Sequence, residues 1–128
     1  MQLGLFLIIA AVIHGALGLI ALLAPGAAAG MFGIGVDAGG AAIARLLGAT
    51  LLGTAATFWF SRTLAAADIL KGVLVGGFVI SGLSLIIAIM AISGGVIGPR
   101  GWIGALARAA LTAGFGYFAF MKPQQVTA

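Results

Sequence analysis

Four long apolar segments dominate the 128-residue chain, and they restrict its fold more than any other feature. Each is close to the roughly 20 residues that an α-helix needs to cross the hydrocarbon core of a bilayer. Short links between such helices force neighbours to run antiparallel. The sequence therefore predicts an all-α, integral membrane, four-helix up-down-up-down bundle, with spans at about Leu3–Ala24, Ala41–Ser61, Gly72–Ser93 and Trp102–Met121.

The composition supports a membrane environment. The chain is 63% hydrophobic and 6% charged, whereas a soluble domain carries about 25% charged residues. A soluble chain of this length cannot hide so much apolar surface, but lipid can accept it. We therefore expect one transmembrane domain over residues 1–128, with no room for a separate soluble catalytic domain.

The formal net charge is +4, from six cations that are scattered singly along the chain. Because they form no basic run, nucleic-acid binding is not expected, and the charges should instead set orientation and contact lipid headgroups. Arg62, Lys71 and Lys122 share one side of the predicted bundle, and Arg100 lies on the other, joined by Arg45 and Arg108 if these extend outward. Without those two arginines, the positive-inside rule mildly favours cytoplasmic termini. The Ala- and Gly-rich composition, in which arginine is commoner than lysine, indicates the bacterial inner membrane. The absence of cysteine excludes disulfides and thiolate chemistry.

The links between the spans carry helix-terminating signals. Pro25 and Gly26 end the first span, and the Gly- and Ala-rich link that follows is expected to lie at the membrane interface and to hold a short helix. Asp68 is predicted to cap the third span and to interact with the positive end of its helix dipole. A polar tail is predicted from Pro123 onward.

Two arginines lie inside the apolar segments on the same side of the membrane. Arg45 is near the start of the second span, Arg108 lies deeper in the fourth, and Asp37 is the only acid near them. In one interpretation both guanidinium groups extend to lipid phosphates. In the other, Asp37, Arg45 and Arg108 form a buried cluster that holds the first link or binds an anionic headgroup, because guanidinium stays charged and pairs bidentately with oxyanions.

One polar residue lies near the midpoint of each span, and together they predict a polar layer across the bundle: His14, Thr50, Ser81 and Thr112. The simplest interpretation is a neutral imidazole hydrogen-bonded to a serine or threonine. Alternatively, His14 is an axial ligand of a tetrapyrrole, since Ala10 precedes it at the spacing of the AxxxH pattern of light-harvesting helices. The sequence requires no cofactor, and a haem with two histidine ligands in one chain is excluded by the single histidine.

Small residues line several predicted spans and indicate close helix packing. They are Gly15 and Gly18 in the first span and Gly72, Gly76 and Ser84 in the third. Gly72 and Gly76 form a GxxxG motif. These faces pack inside the bundle in one interpretation, and against a membrane-protein partner or a second copy in the other.

The groups that most transporters and enzymes need are missing from the spans. None of the four contains Asp or Glu, which most proton-coupled transporters use. The sequence has no HExxH metal motif, no phosphate-binding loop and no serine–histidine–aspartate arrangement. We therefore expect neither catalysis nor a metal site.

Three short segments resemble a known class of membrane proteins. They are residues 44–49 (ARLLGA), 58–62 (FWFSR) and 101–102 (GW). Together they resemble small bacterial four-span proteins of the DoxX-like and DUF4345 type, over the second to fourth spans. The resemblance implies the four-span architecture and no particular activity.

The first functional hypothesis from the sequence is a non-enzymatic accessory or structural subunit of a larger bacterial membrane complex. It rests on the glycine-lined helices and the lack of catalytic groups. Two alternatives remain: a small-molecule or anionic-lipid binder or transporter that uses Arg45 and Arg108, and a pigment- or haem-binding protein that uses His14.

Overall fold

The computed structural model describes residues 2–122, which are largely helical and contain no β-strand. Four helices are long and apolar enough to cross a membrane, which confirms the predicted all-α four-helix bundle. The polar tail predicted from Pro123 lies outside the described residues. The helices are α1 (Leu3–Leu23), α2 (Pro25–Gly30), α3 (Ala38–Ser61), α4 (Ala67–Ser93) and α5 (Gly101–Gly116), which continues as a π-helical turn over Tyr117–Met121.

Helices α3 and α4 begin earlier than predicted, at Ala38 and Ala67. The Asp37 carboxylate accepts a hydrogen bond of 2.7 Å from the Gly40 amide, so Asp37 caps α3, which starts at Ala38. The prediction that Asp68 caps the next helix is wrong, since Ala66 is the N-cap of α4. Asp68 lies in the first turn, where a carboxylate favourably faces the positive end of the helix dipole.

The link after α1 contains the short helix that the sequence predicted. Pro25 is its first residue, where the missing amide hydrogen costs nothing. The chain from Met31 to Val36 then leads into α3, and Gly33 adopts a positive φ of 74° in this segment. Helix α2 therefore lies beside the ends of α1 and α3, at one face of the bundle.

Helices α1 and α3 form a tightly packed antiparallel hairpin. A Cβ atom at Gly18 would lie 2.9 Å from the carbonyl oxygen of Gly48, and one at Gly48 would lie 2.7 Å from the carbonyl oxygen of Gly18. Further along, Gly15 meets Ala55. The two backbones therefore approach closely where neither residue has a side chain, as small residues allow in membrane helices.

Helices α4 and α5 form a second antiparallel hairpin. The ring of Phe115 fills the space beside Gly77, and Thr112 packs beside Gly82. At the end of α5 the Lys122 amide donates to the Tyr117 carbonyl at 3.0 Å, which is the wider hydrogen-bond spacing of a π-helix.

Four phenylalanines join the two hairpins, and we call them the aromatic seam: Phe6, Phe58, Phe115 and Phe118. The rings of Phe6 and Phe115 meet edge-to-face at 4.8 Å, and those of Phe58 and Phe115 lie 4.9 Å apart. All four side chains are almost completely buried. The seam fills the half of the bundle nearest to the N-terminus, and the other half contains a cavity.

Candidate functional site

The cavity lies between the two hairpins and has a volume of about 460 Å³. Its walls come from the C-terminal halves of α1 and α4 and the N-terminal halves of α3 and α5. Most of the lining side chains are aliphatic, for example Leu17, Leu51, Ile87 and Leu111. Helices α3 and α4 make little contact with each other, so direct packing between these two helices does not close the cavity.

Two inter-helical links cover the end of the cavity. Phe32 and Ile97 both line it, and the Phe32 ring packs over Gly104 of α5. The Gly98 amide donates a 3.1 Å hydrogen bond to the Phe32 carbonyl, so the links before α3 and before α5 are joined to each other. The apolar character of Phe32 was visible in the sequence, but its position over the cavity was not.

Three polar side chains line this apolar cavity: His14, Ser84 and Arg108. Arg108 lies seven residues after the start of α5, a depth of about 10 Å at the helical rise per residue. Its guanidinium group has no hydrogen bond, ion pair or ring contact within residues 2–122. The cavity therefore contains a positive charge without a counter-ion from the described part of the chain.

Arg45 lies at the same depth as Arg108 but on a different surface. It also lies seven residues after the start of its helix, and α3 runs parallel to α5. Its side chain is exposed on the outside of the bundle and is not part of the cavity lining. The two arginines predicted as a pair therefore face different environments.

Asp37 does not join either arginine in the described structure. It is exposed, and its carboxylate bonds to the Gly40 amide of its own helix. No ion pair within residues 2–122 connects it to Arg45 or Arg108. The hypothesis of a buried three-residue cluster is therefore not supported by this geometry, and only Arg108 remains as an interior charge.

His14 lies at the boundary between the aromatic seam and the cavity. Its side chain is 3% exposed, and its ring meets Phe58 edge-on at a centroid distance of 5.3 Å. Nδ1 lies 2.8 Å from the Ala10 carbonyl oxygen. The hydrogen-bond partner of the imidazole is therefore its own helix backbone, and not the serine or threonine that the sequence suggested.

The other members of the predicted polar layer are only partly brought together. Ser81 is buried and its Oγ has no hydrogen-bond partner within the described residues. Thr112 is half-buried and donates to the Arg108 carbonyl at 2.7 Å. Thr50 is exposed on the outer face of α3 and donates to the Leu46 carbonyl. The layer therefore has interior members in α1, α4 and α5 but not in α3.

The predicted packing residues also divide between interior and exterior positions. Gly15 and Gly18 pack against α3, and Ser84 lines the cavity. A Cβ atom at Gly72 or Gly76 would meet nothing within 4 Å, so this motif lies at an uncovered surface. Gly48, which completes the close crossing with Gly18, was not predicted as a packing residue; a glycine at matching depth in the neighbouring span was the available signal.

The AxxxH pattern of this chain does not provide the space that a tetrapyrrole ring needs. That pattern needs free space at the small residue one turn before the histidine. Ala10 is fully buried in the core, beside Phe6 and Leu7, so protein atoms already occupy that space. The structure therefore favours a packed histidine that also faces a cavity.

Comparison with protein-family models, curated proteins and solved structures finds no significant match to this chain. The resemblance to the DoxX-like and DUF4345 type of protein stays a prediction.

Proposed function

We propose that this chain is a non-enzymatic membrane protein that binds one amphiphilic anion, with an apolar body and a negatively charged head, in the cavity between its hairpins. The observation that carries this proposal is the guanidinium group of Arg108, which lines an apolar cavity and has no hydrogen bond or ion pair within residues 2–122. The sequence suggested an anion binder that uses both Arg45 and Arg108, and the present proposal keeps only Arg108.

The sequence contains two acidic side chains, Asp37 and Asp68. Both are exposed at helix N-termini. Neither lies in the cavity lining. A charge inside a membrane-spanning helix is costly and normally faces a partner, a ligand or water. A bound anion would supply the counter-ion that the described part of the chain does not provide, and the guanidinium fork suits an oxyanion.

The walls of the cavity support an apolar body for the ligand. Binding pockets for small molecules are commonly about 300–1,000 Å³ and mostly apolar, with a few polar groups that fix orientation. The cavity volume of about 460 Å³ and its aliphatic lining meet both conditions. An alkyl chain too long for the cavity would extend between α3 and α4 toward the surrounding lipid.

The competing explanation is that Arg108 simply extends to phospholipid headgroups at the membrane surface. Arg45 provides a matched control, because it is the same residue type at the same helical depth but faces outward. Under our proposal the two arginines differ in their effect on binding. Under the competing explanation they are equivalent.

The test measures binding of radiolabelled decyl phosphate to the protein in phosphatidylcholine nanodiscs, with empty nanodiscs subtracted. Arg108→Leu should weaken binding at least tenfold, because a charged hydrogen bond contributes about 1.5–3 kcal/mol. Arg45→Leu should leave binding unchanged, and decanol, which carries no charge, should bind weakly to all three proteins. Equal losses for Arg45→Leu and Arg108→Leu, or no saturable binding to the wild type, would refute the proposal.

We infer the bacterial inner membrane as the location, with both termini in the cytoplasm. The composition and the cations Arg62, Lys71 and Lys122 on the side of the termini support this orientation. Because Arg108 faces the cavity, it does not count as a charge of the opposite surface. Fusion of green fluorescent protein to the C-terminus should give fluorescent cells; a fusion that is inserted but dark would contradict the orientation.

A second candidate function is the accessory or structural subunit of a larger membrane complex. The observation that favours it is the uncovered GxxxG surface at Gly72 and Gly76. Native gel electrophoresis of gently solubilised membranes should then show a complex that Gly72→Leu together with Gly76→Leu dissociates. Gly53→Leu is the control, because Gly53 also faces open space but outside this motif. A lone monomer in wild-type membranes would count against this function.

A further inference from the structure

The hydrogen bond of His14 determines which of its ring nitrogens carries hydrogen. A carbonyl oxygen can only accept, so the 2.8 Å contact with the Ala10 carbonyl requires that Nδ1 donates. In the neutral ring, Nε2 is then the acceptor. The tautomer is therefore set by the backbone of α1, independently of any ligand.

Nε2 has no hydrogen-bond partner within residues 2–122. The ring belongs to the cavity lining together with Arg108. Two residues of the cavity lining thus carry different hydrogen-bonding groups: Arg108 has a fork of cationic donors, and His14 has a single neutral acceptor. A ligand head that satisfies both must be an anion and must also carry a hydrogen-bond donor.

We propose, on the basis of the function proposed above, that the ligand is a phosphate monoester of an apolar alcohol, bound with one P–OH group. Its charged oxygens accept from the Arg108 guanidinium, and its P–OH donates to Nε2 of His14. Carboxylates and phosphodiesters are anions without such a donor. The phosphate of an ordinary phospholipid is a phosphodiester. An ammonium group would supply a donor but would be repelled by Arg108.

Two decyl ligands test this assignment: decyl phosphate, a monoester, and decyl methyl phosphate, a diester that has no P–OH group. Wild-type protein should bind the monoester about tenfold more tightly, since the diester lacks the P–OH group that donates to Nε2. In His14→Phe, which keeps a ring of similar size but lacks the acceptor, this ratio should fall to near one. In His14→Gln, which retains an acceptor oxygen, part of the preference should remain.

Binding of the diester serves as the folding control, because it depends on Arg108 and not on the acceptor. Equal binding of monoester and diester by the wild type would overturn the monoester assignment and leave the proposed function intact. A preference that persists in His14→Phe would also overturn it, since the extra charge of a dianion would then explain the selectivity. No binding of either ligand to the wild type would refute the proposed function itself.

Inorganic phosphate distinguishes a lipid-like ligand from a free phosphate ion. It shares the head group but lacks the apolar body that the aliphatic walls would enclose. It should not displace decyl phosphate at concentrations a thousandfold higher than the ligand. Displacement at equal concentration would show that the site recognises free phosphate and would overturn the assignment to an apolar ester.

Discussion

The close crossing of α1 and α3 at Gly18 and Gly48 makes a quantitative prediction about Gly48→Ala. The new Cβ would lie 2.7 Å from the Gly18 oxygen and from the Leu22 nitrogen, and 3.1 Å from the Ala21 carbonyl carbon. Non-bonded heavy atoms prefer separations of about 3.5–4.0 Å, so the helices must move apart by roughly 0.8 Å. All three obstructing atoms belong to the backbone, and no side-chain rotation relieves the contact.

Overpacking of this kind costs about 1–3 kcal/mol, and the rigid obstruction places Gly48→Ala toward the upper end of that range. Better helix propensity returns at most about 1 kcal/mol. We therefore expect a net loss of about 2 kcal/mol in the free energy of unfolding. The assay is reversible unfolding by dodecyl sulfate in mixed micelles, followed by circular dichroism.

Gly53→Ala is the matched control, because Gly53 lies in the same helix and its Cβ would meet nothing within 4 Å. Its unfolding free energy should stay within about 1 kcal/mol of the wild type. If Gly48→Ala unfolds at the same denaturant concentration as Gly53→Ala, the two helices do not cross at this distance, and the reasoning fails.

Three further predictions concern single side chains and use the same unfolding assay. Ser81→Ala should stabilise the protein by about 1–3 kcal/mol, because it removes a buried hydroxyl that has no partner within the described residues, and a loss of stability would indicate that this hydroxyl is hydrogen-bonded. Phe115→Ala should cost about 3–5 kcal/mol, since its ring is fully buried in the aromatic seam; an unchanged midpoint would show that the seam does not hold the hairpins together. Asp37→Ala should cost about 0.5–2 kcal/mol through loss of the helix cap, whereas Asp37→Asn should cost little. Equal effects of the two Asp37 substitutions would argue against a capping role.

The sequence was sufficient to predict the four spans, because membrane helices are defined by the length of their apolar segments. The starts of α3 and α4 were less accurate, since the apolar pattern does not indicate where capping begins. Asp37 caps α3, so this helix starts before the position that hydropathy alone predicted. The span prediction therefore succeeded because it used the length of the apolar segments, which must match the thickness of the bilayer core.

The rotation of each helix about its axis could not be predicted from the same information. In a soluble protein the polar face marks the outside, but in lipid both the outside and the interior are apolar. Arg45 and Arg108 occupy equivalent depths, and nothing in the surrounding residues distinguishes the exposed arginine from the one in the cavity. For the same reason Thr50 was predicted in the polar layer, whereas the structure places it on the outer face of α3.

The two kinds of helix contact described above have a mechanical consequence. Within the α1–α3 hairpin, the Gly18–Gly48 crossing joins backbone to backbone, so any separation of these helices breaks the contact outright. Between hairpins, the aromatic seam joins side chain to side chain, and rings can slide or turn while they remain in contact. The α1–α3 hairpin is therefore expected to move as a rigid unit, and the second hairpin can tilt against it at the aromatic seam. Because the cavity lies at the opposite end of the bundle, such a tilt changes the width of the cavity more than that of the seam.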